Sequence, residues 1–144
     1  MILTKENVIA ILITLLIALL FAMPAICNAE VPKNLKPLFH ALHWRESNFG
    51  TLLDGEEGSL GPYQIRKPYW IDAIERHPEI GGEYKDCIGK EYSESIMLSY
   101  FERYASGSSD YETLARIHNG GPDGAEEDCT LKYWKDIKNF LDKQ

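Results

Sequence analysis

No GxSxG elbow, HExxH pair or phosphate-binding glycine loop occurs in this 144-residue chain, so the usual signatures of serine hydrolases, zinc peptidases and nucleotide binders are missing. Cysteine is scarce. Only Cys27, Cys87 and Cys129 are present, without the histidine spacing that a zinc site needs. Positive charge is in deficit, with 15 Lys and Arg against 22 Asp and Glu, for a net charge of −7. A surface of that sign argues against nucleic acid as a partner. It also gives no general attraction to anionic cell envelopes, so an acidic optimum is expected for any action on them. Internal repeats and low-complexity tracts are absent too, which leaves a single domain with one modest core.

What is present begins with an apolar run, Val8 to Met23, preceded by Lys5 and followed by Pro24 and "CNA". This is a secretory signal pattern. Cleavage after Ala29 puts Cys27 and Ala29 at the small-residue positions. Residues 1–29 then form the signal peptide, and residues 30–144 a secreted, extracellular domain with no stable membrane insertion. The run is also long enough for an uncleaved anchor. A lipoprotein reading of Cys27 is weakened by the bulky Ile26 before it. Cleavage removes one basic and one acidic residue, Lys5 and Glu6, so the mature charge stays at −7. It also removes Cys27. In an oxidising compartment Cys87 and Cys129 are expected to pair, closing a loop of about 42 residues that chain entropy values at about 3–4 kcal/mol. Two free thiols are the alternative.

Helical periodicity dominates the remainder. Leu35, Leu38, Phe39 and Leu42 form a stripe behind the candidate cap Asn34, and the next position on that stripe is Glu46. Gly50 to Gly61 reads as a turn or small hairpin leading into "PYQI". Pro68 opens a short helix that stops before Pro78, and an irregular connection then carries Cys87. Ile96, Met97, Tyr100, Phe101 and Tyr104 mark a third helix. Asp110 can cap a fourth, with Tyr111, Leu114, Ala115 and His118 along one side. Leu131, Trp134, Ile137 and Leu141 spell the last, with Thr130 or Asp128 as cap. About five short helices with at most one hairpin make a mostly α, α+β domain.

Three features carry chemistry. Glu46 ends an apolar helical stripe, where desolvation and the negative end of the helix dipole both disfavour ionisation, an environment suited to a general acid. Its bland alternative is a rim carboxylate paired with Arg45. Asp54, Glu56 and Glu57 crowd one turn, and one of them could be the second carboxylate that glycoside hydrolysis needs; a solvated acidic turn is the competing reading. A calcium loop is discounted, because Ile65 stands where an EF-hand glutamate would fall. His118 lies beside "NGGPDG", and Ser59 sits in "EEGSLG". Each has a plain structural alternative. Trp44, Tyr63, Tyr69, Trp70, Tyr133 and Trp134 are core aromatics by default, although sugars stack well on such rings.

With these residues laid out, the chain resembles the invertebrate-type lysozymes, the group that includes destabilase. Three blocks carry the resemblance: "RES" around Glu46, "GSLGPYQIRKPYWIDA" from Gly58 to Ala73, and "HNGGPDG" with "TLKYW" from His118 to Trp134. They span most of residues 40–140. The ES pair, the G-x-x-Q-I element and the N-x-G-P helix end are similar, more distantly, to the wider lysozyme and lytic-transglycosylase superfamily.

The resemblance implies a lysozyme-like helical fold around a cleft and hydrolysis of the β-1,4 bond between N-acetylmuramic acid and N-acetylglucosamine. Glu46 matches the family's general acid. The family's second carboxylate is an aspartate two residues before "GSL", where this chain has Glu56. Either the longer Glu56 serves, or Asp54 reaches the site through a shifted turn, or the role is lost; Glu56 aligns without a gap. The stretch back to Glu46 is shorter than the family's and lacks its cysteines. Ser59 and His118 match the serine and histidine to which a second, isopeptidase activity is attributed. Tyr63, Gln64, Tyr69, Trp70 and Asn119 are candidates for the cleft wall. The implied partner is peptidoglycan or a chitooligosaccharide, met by a monomer that needs no cofactor and no metal. A single-glutamate transglycosylase and a sugar-binding protein without turnover are the rivals.

Overall fold

Leucines and aromatics three and four residues apart draw the first helix onto the core. In the computed structural model, which describes residues 28–55 and 58–144, α1 runs Lys36–Ser47 and buries Leu38, Phe39, Ala41 and Leu42. Residues 1–27, which hold Cys27 and most of the expected signal peptide, lie outside the described residues, as do Glu56 and Glu57. Four further α-helices follow among them: α2 (Lys67–Arg76), α3 (Lys90–Ala105), α4 (Tyr111–Gly120) and α5 (Leu131–Leu141).

Helix α3 is the axis of the domain. From Tyr92 to Phe101 all its residues except Leu98 are buried, the signature of a helix enclosed on every side. Its buried serines are satisfied by neighbouring carbonyls: Ser93 donates to Cys87 O at 2.6 Å and Ser99 to Ala73 O at 2.6 Å. Helices α2 and α4 pack against α3, while α5 lies across α1 and α4. Each fully buried Leu or Ile, such as Leu38, Leu42, Ile96 and Ile137, contributes about 1.5–3 kcal/mol.

Capping chemistry follows the sequence only in part. Asp110 does cap α4, its Oδ2 accepting from the Thr113 N–H at 3.0 Å and from the Thr113 hydroxyl at 2.6 Å. Asn34 does not cap α1. Leu35 holds that position with no side-chain bond, and Pro37 fills the first turn, where a missing N–H costs no helical hydrogen bond. Neither Asp128 nor the Thr130 side chain caps α5, because the Thr130 hydroxyl donates to Gly124 O at 2.7 Å and Glu127 O at 2.8 Å. The connection carrying Cys87 is more regular than expected, forming two 3-10 turns, Pro78–Ile80 and Tyr84–Ile88. Of the expected hairpin, the described residues form isolated bridges, Asp54 with Leu60 and Leu60 with Ile65.

The expected Cys87–Cys129 disulfide is corrected by the structure, in which both thiols are free. Cys87 is buried in the 3-10 turn beneath Gly61, whereas Cys129 is exposed in the turn that leads into α5. Gly61 has φ +78°, and a Cβ there would stand 1.7 Å from Cys87 O, so backbone packs on backbone where the staple was expected. Burial pushes the Cys87 thiol up to about 12. A thiol reagent added to the folded mature domain should therefore titrate one cysteine, Cys129, and reach Cys87 only in denaturant. Absence of any reactive thiol in the folded and unfolded protein would show a bond instead.

A surface cluster joins the end of α2 to α3. His77 Nδ1 lies 2.6 Å from Glu79 Oε1, its Nε2 lies 2.8 Å from Glu102 Oε2, and Arg76 Nη2 lies 2.6 Å from Glu102 Oε1. Hydrogen bonds to Glu79 and then Glu102 raise the His77 pKa above its ordinary 6.5. A hydrogen bond from its own backbone and then one from His77 lower Glu79 below 4.5, and the His77 hydrogen bond lowers Glu102. A raised histidine stabilises the fold below 6.5, and that gain is lost as pH climbs through the folded value. The lowered carboxylates lose theirs as pH falls below 4.5. The Tm difference between wild type and His77→Gln should accordingly be largest between pH 4.5 and 6.5 and shrink by pH 8.5. Equal differences at pH 5.5 and 8.5 would contradict the linkage.

Candidate active site

Helix α1 stops abruptly after delivering Glu46. Asn48 (φ 49°), Phe49 (φ 58°) and Gly50 (φ 82°) are all left-handed, so the chain reverses within three residues of the helix end. Ser47 ties the reversal together. Its fully buried hydroxyl donates to Pro62 O at 2.8 Å and accepts from the Gly50 N–H at 2.8 Å, joining the end of α1 to the "GPYQ" turn. In that turn the left-handed Gln64 (φ 50°) donates to Gly61 O at 2.9 Å and accepts from the Ser59 hydroxyl at 2.9 Å. Gly55 lets the Gln64 amide lie close by, since a Cβ there would stand 1.6 Å from Gln64 Oε1 and displace it.

These segments wall a cleft of about 790 Å³, lined by Arg45, Glu46, Asp54, Ser59, Gln64, Arg66, Tyr69, Asp72, Tyr100, His118 and Asn119 among others. Glu46 keeps 17% of its side-chain exposure. Its Oε1 accepts a hydrogen bond from the Tyr133 hydroxyl, which α5 brings from 87 positions away. His118 Nε2 lies 3.8 Å from the same oxygen, and its Nδ1 lies 3.4 Å from Tyr69 Oη. Tyr69 stacks in turn on Tyr100, ring centroids 3.6 Å apart.

Burial lowers the His118 pKa, against the opposing pull of the Glu46 charge and a hydrogen bond to the Tyr63 backbone. Burial, followed by the Glu46 charge, lifts Tyr133 well above its usual value. At neutral pH the carboxyl group of Glu46 is thus flanked by a neutral imidazole and a phenol that remains a donor.

Of the residues singled out in the sequence, Glu46, Asp54, Ser59, Gln64, Tyr69, His118 and Asn119 meet at this cleft. Two wall candidates do not line it. Tyr63 is 1% exposed, and its hydroxyl donates to Glu94 Oε1 at 2.7 Å in the core. Trp70 donates through Nε1 to Tyr92 Oη at 2.9 Å. An isopeptidase couple would need the Ser59 hydroxyl to leave Gln64 and reach an imidazole whose nitrogens face Glu46 and Tyr69. Sequence reasoning missed Tyr133 and Ser47 as parts of the site. Tyr133 reads as one more aromatic on the α5 stripe, and only its polar tip hints at another use. Arg66 and Asp72 were also unforeseen; Asp72 Oδ2 accepts from the Tyr104 hydroxyl at 2.9 Å.

A second cavity of about 600 Å³ lies beyond Tyr63, lined in part by Phe39, His43, Lys90 and Glu94. Its buried acid, Glu94, is taken up by Tyr63 and Lys90. The site residues singled out in the sequence gather instead at the larger cleft.

The helical arrangement around this cleft is that of the lysozymes of invertebrates. The crystal structure of Tapes japonica lysozyme superposes with a TM-score of 0.62 at 31% identity, covering 72% of this chain and 87% of that one. A chain in the structure of Aeromonas hydrophila PliI in complex with Meretrix lusoria lysozyme gives 0.63 at 27% identity, over 72% and 88%. The chain belongs to the destabilase family, whose profile matches residues 45–140. Similar relatives include a lysozyme of Ostrea edulis, 33% identical over 65% of this chain and 68% of its own length. Invertebrate-type lysozyme 3 of Caenorhabditis elegans is 33% identical over 69% and 81%.

Removing the Ser47 hydroxyl leaves the Pro62 carbonyl buried without its donor, which costs about 1–3 kcal/mol. Ser47→Ala should lose that amount in urea unfolding and also loosen the cleft wall. An unchanged unfolding midpoint would remove Ser47 from this role.

Proposed function

We propose that the protein is a secreted muramidase that hydrolyses the β-1,4 bond between N-acetylmuramic acid and N-acetylglucosamine in bacterial peptidoglycan. The observation that carries the reading is the placement of Glu46, a mostly buried carboxyl group at a helix end, hydrogen-bonded by Tyr133 and opening on a cleft large enough for sugar rings. Relatives of this chain bear the name lysozyme. In this reading Glu46 protonates the glycosidic oxygen as the bond to C1 breaks. A second carboxylate stabilises the cationic sugar, or attacks it in a retaining route, and water completes the hydrolysis.

Asp54 lines the cleft and is the described candidate for the second carboxylate, with Glu56 the other. Glu46 and Asp54 both line this cleft, so two carboxyl groups share one cavity. The mature domain, residues 30–144, carries the activity as a monomer outside the cell and without a cofactor.

Peptidoglycan turbidity clearance from pH 4 to 8 tests the reading with wild type, Glu46→Gln, Asp54→Asn and Glu56→Gln. Glu46→Gln should lower the rate by about 10²–10⁴-fold, and one of the other two should cripple it as well and so name the second carboxylate. The maximum should fall on the acidic side, given the net charge of −7. Clearance that depends on Glu46 alone, with anhydro-sugar ends in the products, would point to the transglycosylase route. Sugar binding with no clearance by wild type would mean a binding protein.

A further inference from the structure

Among the described residues, the two close side-chain contacts of the Glu46 carboxyl group fall on one oxygen. Oε1 accepts from the Tyr133 hydroxyl and lies 3.8 Å from His118 Nε2. A carboxylic acid that donates a proton from either oxygen at random wastes half its population on the wrong geometry, so an acid whose oxygens differ has an advantage. From this asymmetry we propose that Tyr133 is a positioning residue: its hydroxyl holds Oε1 as an acceptor and leaves Oε2 to carry the proton delivered to substrate. The use of that proton rests on the muramidase reading; the grip itself does not.

The phenol is built for the task. Its ring is buried under the Arg45 guanidinium, 5.2 Å from the ring centroid, and Arg45 Nε lies 3.5 Å from Asp136 Oδ2 one turn further along α5. The ring therefore has little freedom to swing the hydroxyl away. Among the described residues, the charged and titratable groups beside Glu46 or lining its cleft are Arg45 on its own helix, Asp54 and Arg66 in the segment before α2, Tyr69 and Asp72 on α2, Tyr100 on α3, His118 on α4 and Tyr133 on α5, with Asp136 on α5 beside Arg45. Burial keeps His118 unprotonated and Tyr69 and Tyr133 protonated at neutral pH.

In the reaction the proton on Oε2 passes to the glycosidic oxygen, and the leaving sugar departs as an alcohol. The new negative charge on Glu46 is shared with Oε1, where the Tyr133 O–H strengthens as a charge-assisted donor. The water that then attacks C1 returns a proton to Glu46, and the cycle closes.

The experiment follows the Glu46 carboxyl carbon by ¹³C NMR during a pH titration, in wild type and Tyr133→Phe, alongside the pH profile of peptidoglycan turnover. Loss of a donor to the ionised form should raise the titration midpoint by about one pH unit. The alkaline limb of turnover should move the same way, with kcat down roughly ten-fold and KM within about two-fold. Replacing Tyr133 by 3-fluorotyrosine, a stronger donor of nearly the same size, should lower the midpoint, and this arm stands if Tyr133→Phe fails to fold. Tyr63→Phe, which loses a buried hydroxyl bonded to Glu94 instead, should leave it in place. A midpoint unmoved by both changes at Tyr133, or moved equally by Tyr63→Phe, would overturn the proposal. Shifted midpoints in a protein that never clears peptidoglycan would uphold the grip and discard the muramidase reading.

Discussion

The site depends on one long-range contact, the hydrogen bond from Tyr133 on α5 to Glu46 at the end of α1. A carboxyl group drawn out of water at the negative end of a helix is costly unless a donor meets it. The donor available is 87 residues further along the chain, so the acid is correctly furnished only when α5 has docked across α1 and α4. That docking has its own fastenings. Gly120 admits the Thr130 side chain where a Cβ would stand 2.5 Å from Thr130 Cγ2. Arg116 Nε donates to Thr130 Oγ1 at 2.9 Å, and Gly124 packs against Arg116 O. The small residues of the "NGGPDG" segment thus allow the close packing that lets α5 reach back to Glu46.

The opposite wall of the cleft is held by different means. Among its described residues the regular structure amounts to two isolated bridges, with no disulfide. Polar bonds replace both. Ser47 grips Pro62, the Tyr84 hydroxyl donates to Gly58 O at 2.7 Å and Ile65 O at 2.8 Å, and Gly61 N donates to Leu53 O at 2.6 Å. Each such bond is worth only about 0.5–1.5 kcal/mol net, so the wall draws its order from several acting together. The resemblance to a cysteine-rich family makes the substitution intelligible: where staples are missing, close glycine packing and buried hydroxyls fix the loop.

Local signals were legible in the sequence. The stripe ending in Glu46, the proline opening α2, the Asp110 cap and the five-helix count all follow from spacing, because helices declare themselves through short-range periodicity. Caps that compete with tertiary partners were not legible. Thr130 has the chemistry of a cap, yet its hydroxyl is spent on the carbonyls of Gly124 and Glu127. Tyr63 and Trp70 misled for a related reason, since an aromatic residue with a polar tip suits a cleft wall or a core equally well until its partner is known. Their partners turned out to be Glu94 and Tyr92.

By itself, then, the sequence determined the helices, the family and the position of Glu46 at the end of an apolar stripe, since each rests on residue types at short spacing. Only the tertiary structure decided which side chains surround that acid, because Tyr133, His118 and Tyr69 come to Glu46 from three different helices. It also decided that Cys87 and Cys129 stay apart, one sealed under Gly61 and the other on the surface. The physical reason is common to both: hydrogen bonds and packing contacts between distant segments depend on where whole helices dock, which no local pattern records.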